Sequence, residues 1–291
     1  MWKVLKIGGL TLGGLTLLIA AYIGVLLYPG VLFANQFEYK NFTVHSQEDL
    51  GVGIETILDN IEAAIATSEI YDPALEYDIL FGHGNTVFRI TEDVRWWLTV
   101  RIWGIGPALT YNASIPPRFN HVVTFRIPDV ENNALLHPEH LRPINMTRLL
   151  THEVVHTLTT SRIGLDRIPS IPVWKQEGYG DYIAASTTIL ANPAYSLRES
   201  VERILSLDLS WMQDDDGNYT PMRYGCQSAG GSIEIEGGSG GLACYYIGRV
   251  LLEYLFEVKG LTFDEAFAPE IRDTDTLYEL IEAYESGSLE F

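Results

Sequence analysis

Two histidines four residues apart, His152 and His156, constrain this chain more than any other feature. On an α-helix, residues at that spacing lie one above the other on one face, so both rings can be aimed at a single cation. The flanking residues predict such a helix over Met146 to Ser161. Asn145 is its expected N-cap, and Leu149, Leu150, Val154, Val155 and Leu158 are its packing residues. Glu153 stands one step round the helix, beside a cation rather than on it. A carboxylate there can take a proton from water and hand it to a leaving group. A second acidic pair at helical spacing, Glu177 and Asp181, follows in the segment from Trp174 to Tyr182. Two imidazoles and a carboxylate are an established ligand set for a catalytic Zn2+, which keeps one position open for water. The metal lowers the pKa of that water to roughly 7 and polarises a carbonyl.

The H-E-x-x-H run at 152–156 with a later glutamate resembles the gluzincin metallopeptidases, the group that holds thermolysin and the aminopeptidase N family. The resemblance covers the chain from about Asn145 to Gly260. It implies a zincin-like α+β catalytic domain, a small mixed sheet followed by a helical half, with zinc in the cleft between them. Those enzymes place a zinc glutamate on the next helix, and Glu177 falls at the matching distance, which makes it the third ligand beside His152 and His156. The pattern W-x-x-E-G-x-x-x-Y from Trp174 to Tyr182 looks like the aminopeptidase N sequence around that glutamate. Asp181 is similar to the thermolysin aspartate that holds a zinc histidine by its other nitrogen, so it is expected to orient His152. Tyr245-Tyr246-Ile247-Gly248 looks like the Y-x-x-G helix start whose tyrosine stabilises the oxyanion. Tyr245 is the candidate for that role, with Tyr246 beside it as the alternative. The G-x-M-E-N segment that captures a free amine in aminopeptidases is missing between Gln36 and Asn145, so the resemblance does not extend to amine capture. The stretch Asn120 to Ile127 reads as a strand, which the resemblance would place along an extended substrate.

Residues Ile7 to Leu27 carry no charge and are long enough to cross a bilayer as a helix. Lys3 and Lys6 precede the run and Glu38 is the first charge after it, which sets the N-terminus in the cytoplasm and the remainder outside. A cleaved signal peptide is the competing reading. The expected organisation is therefore an anchor over residues 1–35 and one catalytic domain over residues 36–291. On the outer side, Cys226 and Cys244 are either a disulfide, worth roughly 3 kcal/mol in the chain-entropy model, or two free buried thiols. The disulfide would close a glycine-rich loop that ends beside Tyr245. The formal net charge of −19 argues against nucleic acid as a partner, because binding phosphates needs a basic face.

The pattern before Asn145 predicts a short strand at Phe42–His45 and an amphipathic helix over Asp49–Ser68. Further strands are expected near Tyr77–Phe81, Thr86–Ile90, Trp96–Ile102 and His121–Ile127. After Asn145 it turns helical, with helices expected around Glu177, over Arg198–Leu207, over Tyr245–Lys259 and as two short pieces to the end. His137-Pro138-Glu139-His140 is not expected to bind metal, since proline breaks the helix that would align its rings. Asp214 to Asn218 reads as a solvated turn, and Trp96, Trp97 and Trp103 as core. The expected function is a membrane-anchored zinc metallopeptidase acting on peptide or protein outside the cytoplasmic membrane. Hydrolysis of another amide or ester, or a non-catalytic surface binding protein on the same scaffold, are the alternatives.

Overall fold

A computed structural model describes residues 13–14, 16–17, 21, 24, 29–90, 121–136, 143–164, 166–189, 197–206, 213, 216–217, 219, 232–233 and 241–289. The chain is mixed α+β, with small sheets and several helices. It divides into two compact units, Met1–Leu50 with Glu76–Arg126, and Gly51–Leu75 with Ile127–Phe291. Among the described residues no helix is long and apolar enough to cross a membrane. Of the run from Ile7 to Leu27 only scattered positions are described, and these are helical. The rest of it, the expected strand at Trp96–Ile102, the His137–His140 segment, and the Cys226–Cys244 pairing lie outside the described residues.

The first unit is a four-stranded sheet in the order β1 (Asn35–Tyr39), β2 (Phe42–Ser46), β3 (Tyr77–Phe81), β4 (His121–Thr124). β1 and β2 form a hairpin whose turn puts Lys40 at φ 52°. β2, β3 and β4 run parallel, with Ser46 opposite Phe81 and Phe81 opposite Thr124. The hairpin tip and the C-terminal end of the parallel strands are thus opposite ends of the sheet. At the C-terminal end Leu80, Phe88 and Val123 are buried together, with Leu32, Phe33 and Phe125 packed against them.

Residues 86–90, expected as a strand, are helical. Thr86, Val87 and Ile90 supply β-branched side chains, but Asn85 caps the segment. Its Oδ1 accepts from the Phe88 amide at 2.9 Å and its carbonyl accepts from the Arg89 amide at 3.0 Å. A cap that satisfies orphan amides outweighs a strand propensity with little ladder to join. The strand expected to reach Ile127 stops at Thr124, whose hydroxyl accepts from the Arg126 amide at 3.2 Å.

The second unit opens with α1 (Ile54–Ile65), which buries Ile54, Ile57, Leu58, Ile61 and Ile65 along one stripe. It begins later than the expected Asp49 because Gly51 and Gly53 both hold positive φ, which no helix turn accommodates. A three-stranded antiparallel sheet of β5 (Ile127–Asp129), β6 (Ala134–Leu136) and β7 (Pro143–Asn145) follows. β7 delivers the chain directly into α2 (Met146–Ile163). Gly164 at φ 90° ends α2, and a 3-10 turn at Ile168–Ser170 leads to α3 (Val173–Ile189). Then come α4 (Leu197–Leu205), the two-stranded ribbon β8 (Ser232–Ile233) with β9 (Gly241–Leu242), and α5 (Ala243–Glu253). A π turn over Tyr254–Val258, α6 (Phe263–Ala266) and α7 (Asp273–Glu285) complete the unit.

α3 packs most extensively on α5 and on α2. Tyr179 of α3 is buried, its hydroxyl 2.7 Å from Ser68, with the rings of Phe256, Phe263 and Phe267 packed edge-on around it. Lys175 is also buried and donates to the Ala268 carbonyl at 2.7 Å, and its burial pushes the ammonium pKa down to about 8. The Asn145 side chain accepts from the Arg148 amide at 2.8 Å and so caps the helix that carries both histidines. Asn145→Ala should lower unfolding stability by about 1 kcal/mol, read as a shift in the urea midpoint at unchanged slope.

Candidate metal centre

α2 is buried around most of its circumference, so the face bearing His152 and His156 opens into the interior of its unit rather than onto free surface. The two rings stand edge to face, their centroids 4.7 Å apart. His152 Nε2 lies 3.0 Å from His156 Nε2 and 3.2 Å from Glu177 Oε2, and His156 Nε2 lies 3.5 Å from the same oxygen. In a tetrahedral shell with bonds of 2.0–2.1 Å, neighbouring ligand atoms are about 3.3 Å apart. The three measured edges bracket that value, so the donor set fits a small divalent ion, and these three residues form a group that could hold a metal. His152 Nδ1 lies 3.0 Å from Asp181 Oδ1. An N–H donated there leaves the lone pair of Nε2 facing His156 and Glu177, the tautomer a metal ligand needs.

The convergence depends on three glycines. A Cβ at Gly178 would stand 2.5 Å from the Gly248 carbonyl carbon, and one at Gly248 would stand 2.5 Å from the Trp174 carbonyl oxygen. The backbones of α3 and α5 therefore touch where Glu177 is presented. On the neighbouring turn, a Cβ at Gly180 would stand 2.8 Å from His152 Nδ1. Gly180 leaves the space in which the imidazole lies against α3 and meets Asp181. Sequence reasoning used Gly178 and Gly248 only as parts of motifs and passed over Gly180. The available signal was the clustering of glycine inside a segment that otherwise reads as helix, which marks close backbone approach.

Charge is concentrated and buried here. Burial opposes the imidazolium form of His152, but hydrogen bonds to Asp181 and Glu177 outweigh it and raise its pKa well above the ordinary value. Burial likewise opposes ionisation of Glu177, yet the His156 and His152 imidazoles hold its carboxyl far below the usual range. Asp181 follows the same pattern. Burial raises its pKa, while the bond to His152 and the charges of His152, Arg148 and Arg249 bring it down. Glu153 goes the other way. Burial pushes its carboxyl up more than His152 and His156 pull it down, and its Oε2 is buried with no hydrogen-bond partner.

Of the two tyrosines that the sequence left open, Tyr245 lies beside the cluster, its ring centroid 6.4 Å from that of His152. Its burial, with the negative charges of Glu177, Glu153 and Asp181, raises the phenol pKa, so the hydroxyl stays a donor well into alkaline solution. Tyr246 is buried on another side of α5. Its hydroxyl reaches toward the Ser200 carbonyl at 3.5 Å, and Arg249 lies 5.1 Å from its ring centroid. Arg249 was not anticipated. It is buried one turn beyond Tyr245, donates to Ser200 Oγ at 3.2 Å and pairs with Glu253 at 3.9 Å. Compared with known proteins, the chain matches no family model, no curated protein and no solved structure.

Two outcomes follow from this geometry. Gly180→Ala should displace the His152 ring and weaken Zn2+ or Co2+ binding at least tenfold in a competition titration. Retained affinity would mean that the ring has room to move. Without a bound cation, the folding stability supplied by His152, whose pKa is raised, is full below about pH 6.5 and is lost as pH climbs through the raised value. The contributions of Glu177 and Asp181, whose pKa values are lowered, are full above about pH 4 and lost in acid. The chelated protein should therefore have its highest melting temperature between these limits, and Asp181→Asn should reduce the decline toward neutral and alkaline pH.

Proposed function

We propose that the chain is a membrane-anchored zinc metallopeptidase of the gluzincin type, which hydrolyses peptide bonds outside the cytoplasmic membrane. The observation that carries this reading is the triangle of His152, His156 and Glu177 donor atoms, with edges of 3.0, 3.2 and 3.5 Å, beside the unpartnered buried oxygen of Glu153. His152, His156 and Glu177 are the residues that would hold the ion. When bound, zinc supplies an acidified water and a polarised carbonyl. Placement outside the membrane rests on the apolar run from Ile7 to Leu27 and the lysines before it.

The protein's own side chains divide the remaining work. Glu153 receives a proton from the attacking water on its free carboxyl oxygen and delivers it to the departing amine. Its raised pKa suits both halves of that transfer, because a base that must later act as an acid works best when its pKa lies near the working pH. Asp181 fixes the His152 ring through Nδ1. The Tyr245 phenol donates a hydrogen bond to the oxyanion that develops on the substrate carbonyl. That bond acts in a largely dehydrated site, where it counts for more than in water. Peptide is favoured over other acyl donors because the same ligand set and the same downstream tyrosine belong to peptidases in the family this chain resembles.

The test pairs two substitutions. Glu153→Gln should keep stoichiometric zinc by metal analysis while peptide-library cleavage falls by about 10²–10⁴. Tyr245→Phe should also keep zinc and should lower kcat by about 10²–10³ with little change in KM. Full cleavage by Glu153→Gln would rule out the assigned base, and zinc binding without cleavage of any peptide by the unsubstituted protein would rule out the substrate class.

A further inference from the structure

The chain reaches the first unit at one particular end of its sheet. The apolar run closes at Leu27, and a 3-10 turn over Pro29–Leu32 begins two residues later. That turn is clamped to the fold. The Leu32 carbonyl accepts from Asn85 Nδ2 and from Gln47 Nε2, each at 2.9 Å, and the Phe33 ring meets that of Phe88 with centroids 4.9 Å apart. Gly30 lies so close to His45 that an added Cβ would stand 2.5 Å from the ring. In sequence only Tyr28 separates the end of the run from that turn, too little chain for a stalk. Whatever surface surrounds this turn must lie where the run emerges.

That end also gathers apolar side chains that do not belong to the core. Val31 in the turn is 74% exposed, and Val87 and Ile90, three residues apart on the helix capped by Asn85, are 61% and 58% exposed. Three residues apart is one helix face, and Phe88 on the other side is fully buried. Arg89, on another face of the same helix, is exposed, and its guanidinium lies over the Phe125 ring, 5.1 Å from the centroid. Glu48 and Asp49 leave the same end, so net charge adds little and apolar burial must supply the attachment. The opposite end of the sheet, the hairpin tip at Lys40, is separated by the length of β1, roughly 17 Å at strand rise. That exceeds the headgroup layer, which is about 5–8 Å deep on each side of the hydrocarbon.

We propose that Val31, Val87 and Ile90 form a bilayer-contacting surface that seats the first unit directly on the membrane through which the apolar run passes. The occupant is the lipid headgroup–acyl boundary. The seat rests on the reading of residues 7–27 as an uncleaved anchor, and it adds a second contact that fixes how this unit meets the membrane. Scattered exposed valines and isoleucines are ordinary on any surface. Their coincidence with the clamped exit of the run is what assigns them an environment.

The test uses the full chain reconstituted into liposomes of phosphatidylcholine and phosphatidylglycerol. A benzophenone amino acid replaces Leu17, Lys40, Val87 or Ile90 one at a time, and melting temperature confirms that each variant is folded. After irradiation, lipid adducts are sought by mass spectrometry. Adducts at Leu17, Val87 and Ile90 with none at Lys40 are expected. Adducts at Leu17 alone, or at Lys40 as strongly as at Val87 and Ile90, would overturn the seat while leaving the anchor intact. No adduct at Leu17 would overturn the anchor reading itself, and the seat with it.

Discussion

The close approach of α3 to its two neighbours is the constraint on which the candidate metal centre rests. Helices with ordinary side chains at their crossing stand 8–10 Å apart, and at that distance a glutamate from one and two histidines from another meet only by extended rotamers. Here Gly178 lies against Gly248, and Gly180 lies under the His152 ring. Each glycine inside a helix is worth about 1 kcal/mol less than alanine. Three in these two helices are tolerated because the contact they allow draws Glu177 and Asp181 onto opposite nitrogens of one imidazole. The same approach buries His152 and Glu177, so packing and electrostatics cannot be separated at this point. Lone pairs that converge within 3.5 Å in a dry setting repel one another unless a positive charge lies among them. A bound cation would supply that charge, and without one the raised pKa of His152 favours a proton there.

Features set by local spacing were legible in the sequence. The bounds of α2, its Asn145 cap and the shared face of His152 and His156 all follow from periodicity and capping within one stretch of chain. The distances from Glu177 and Asp181 to those histidines are non-local, and only likeness to a known pattern made them expectations. The glycines that produce them carry no chemistry of their own and read as breakers. Residues 86–90 show the opposite failure. β-branched side chains suggested a strand, while one asparagine, by capping the segment, made it a helix. Arg249 was invisible for a third reason. Its place depends on Ser200 and Glu253, one on another helix and one a turn farther along its own, and no periodicity announces a buried charge.

The neighbouring tyrosines of α5 illustrate how one helix serves two ends. Successive residues on a helix point about 100° apart, so Tyr245 and Tyr246 cannot both face His152. Tyr246 goes to Ser200 and Arg249 and ties α5 to α4. Tyr245, half-buried, keeps its hydroxyl without a hydrogen-bond partner among the described residues. The motif could not choose between them because it records spacing from the start of a helix and not the angle at which that helix is docked. The docking angle is set a turn later by Gly248 against Gly178 and Trp174.

Glu153, like Thr157 and Thr159 on the same helix, has a buried polar atom without a hydrogen-bond partner, and of these it alone is an acid, which bears on its assigned role. A buried carboxyl oxygen without a partner costs about 1–3 kcal/mol, and nothing in the packing requires an acid at that position. Violations of local satisfaction are commoner at functional sites than elsewhere in a fold. Glu153 follows His152 directly in sequence, carries a pKa raised by the same burial that leaves its oxygen alone, and shares the interior with three groups arranged as ligands. Under the proposed hydrolase reading, the acid left without a donor is the one free to take a proton.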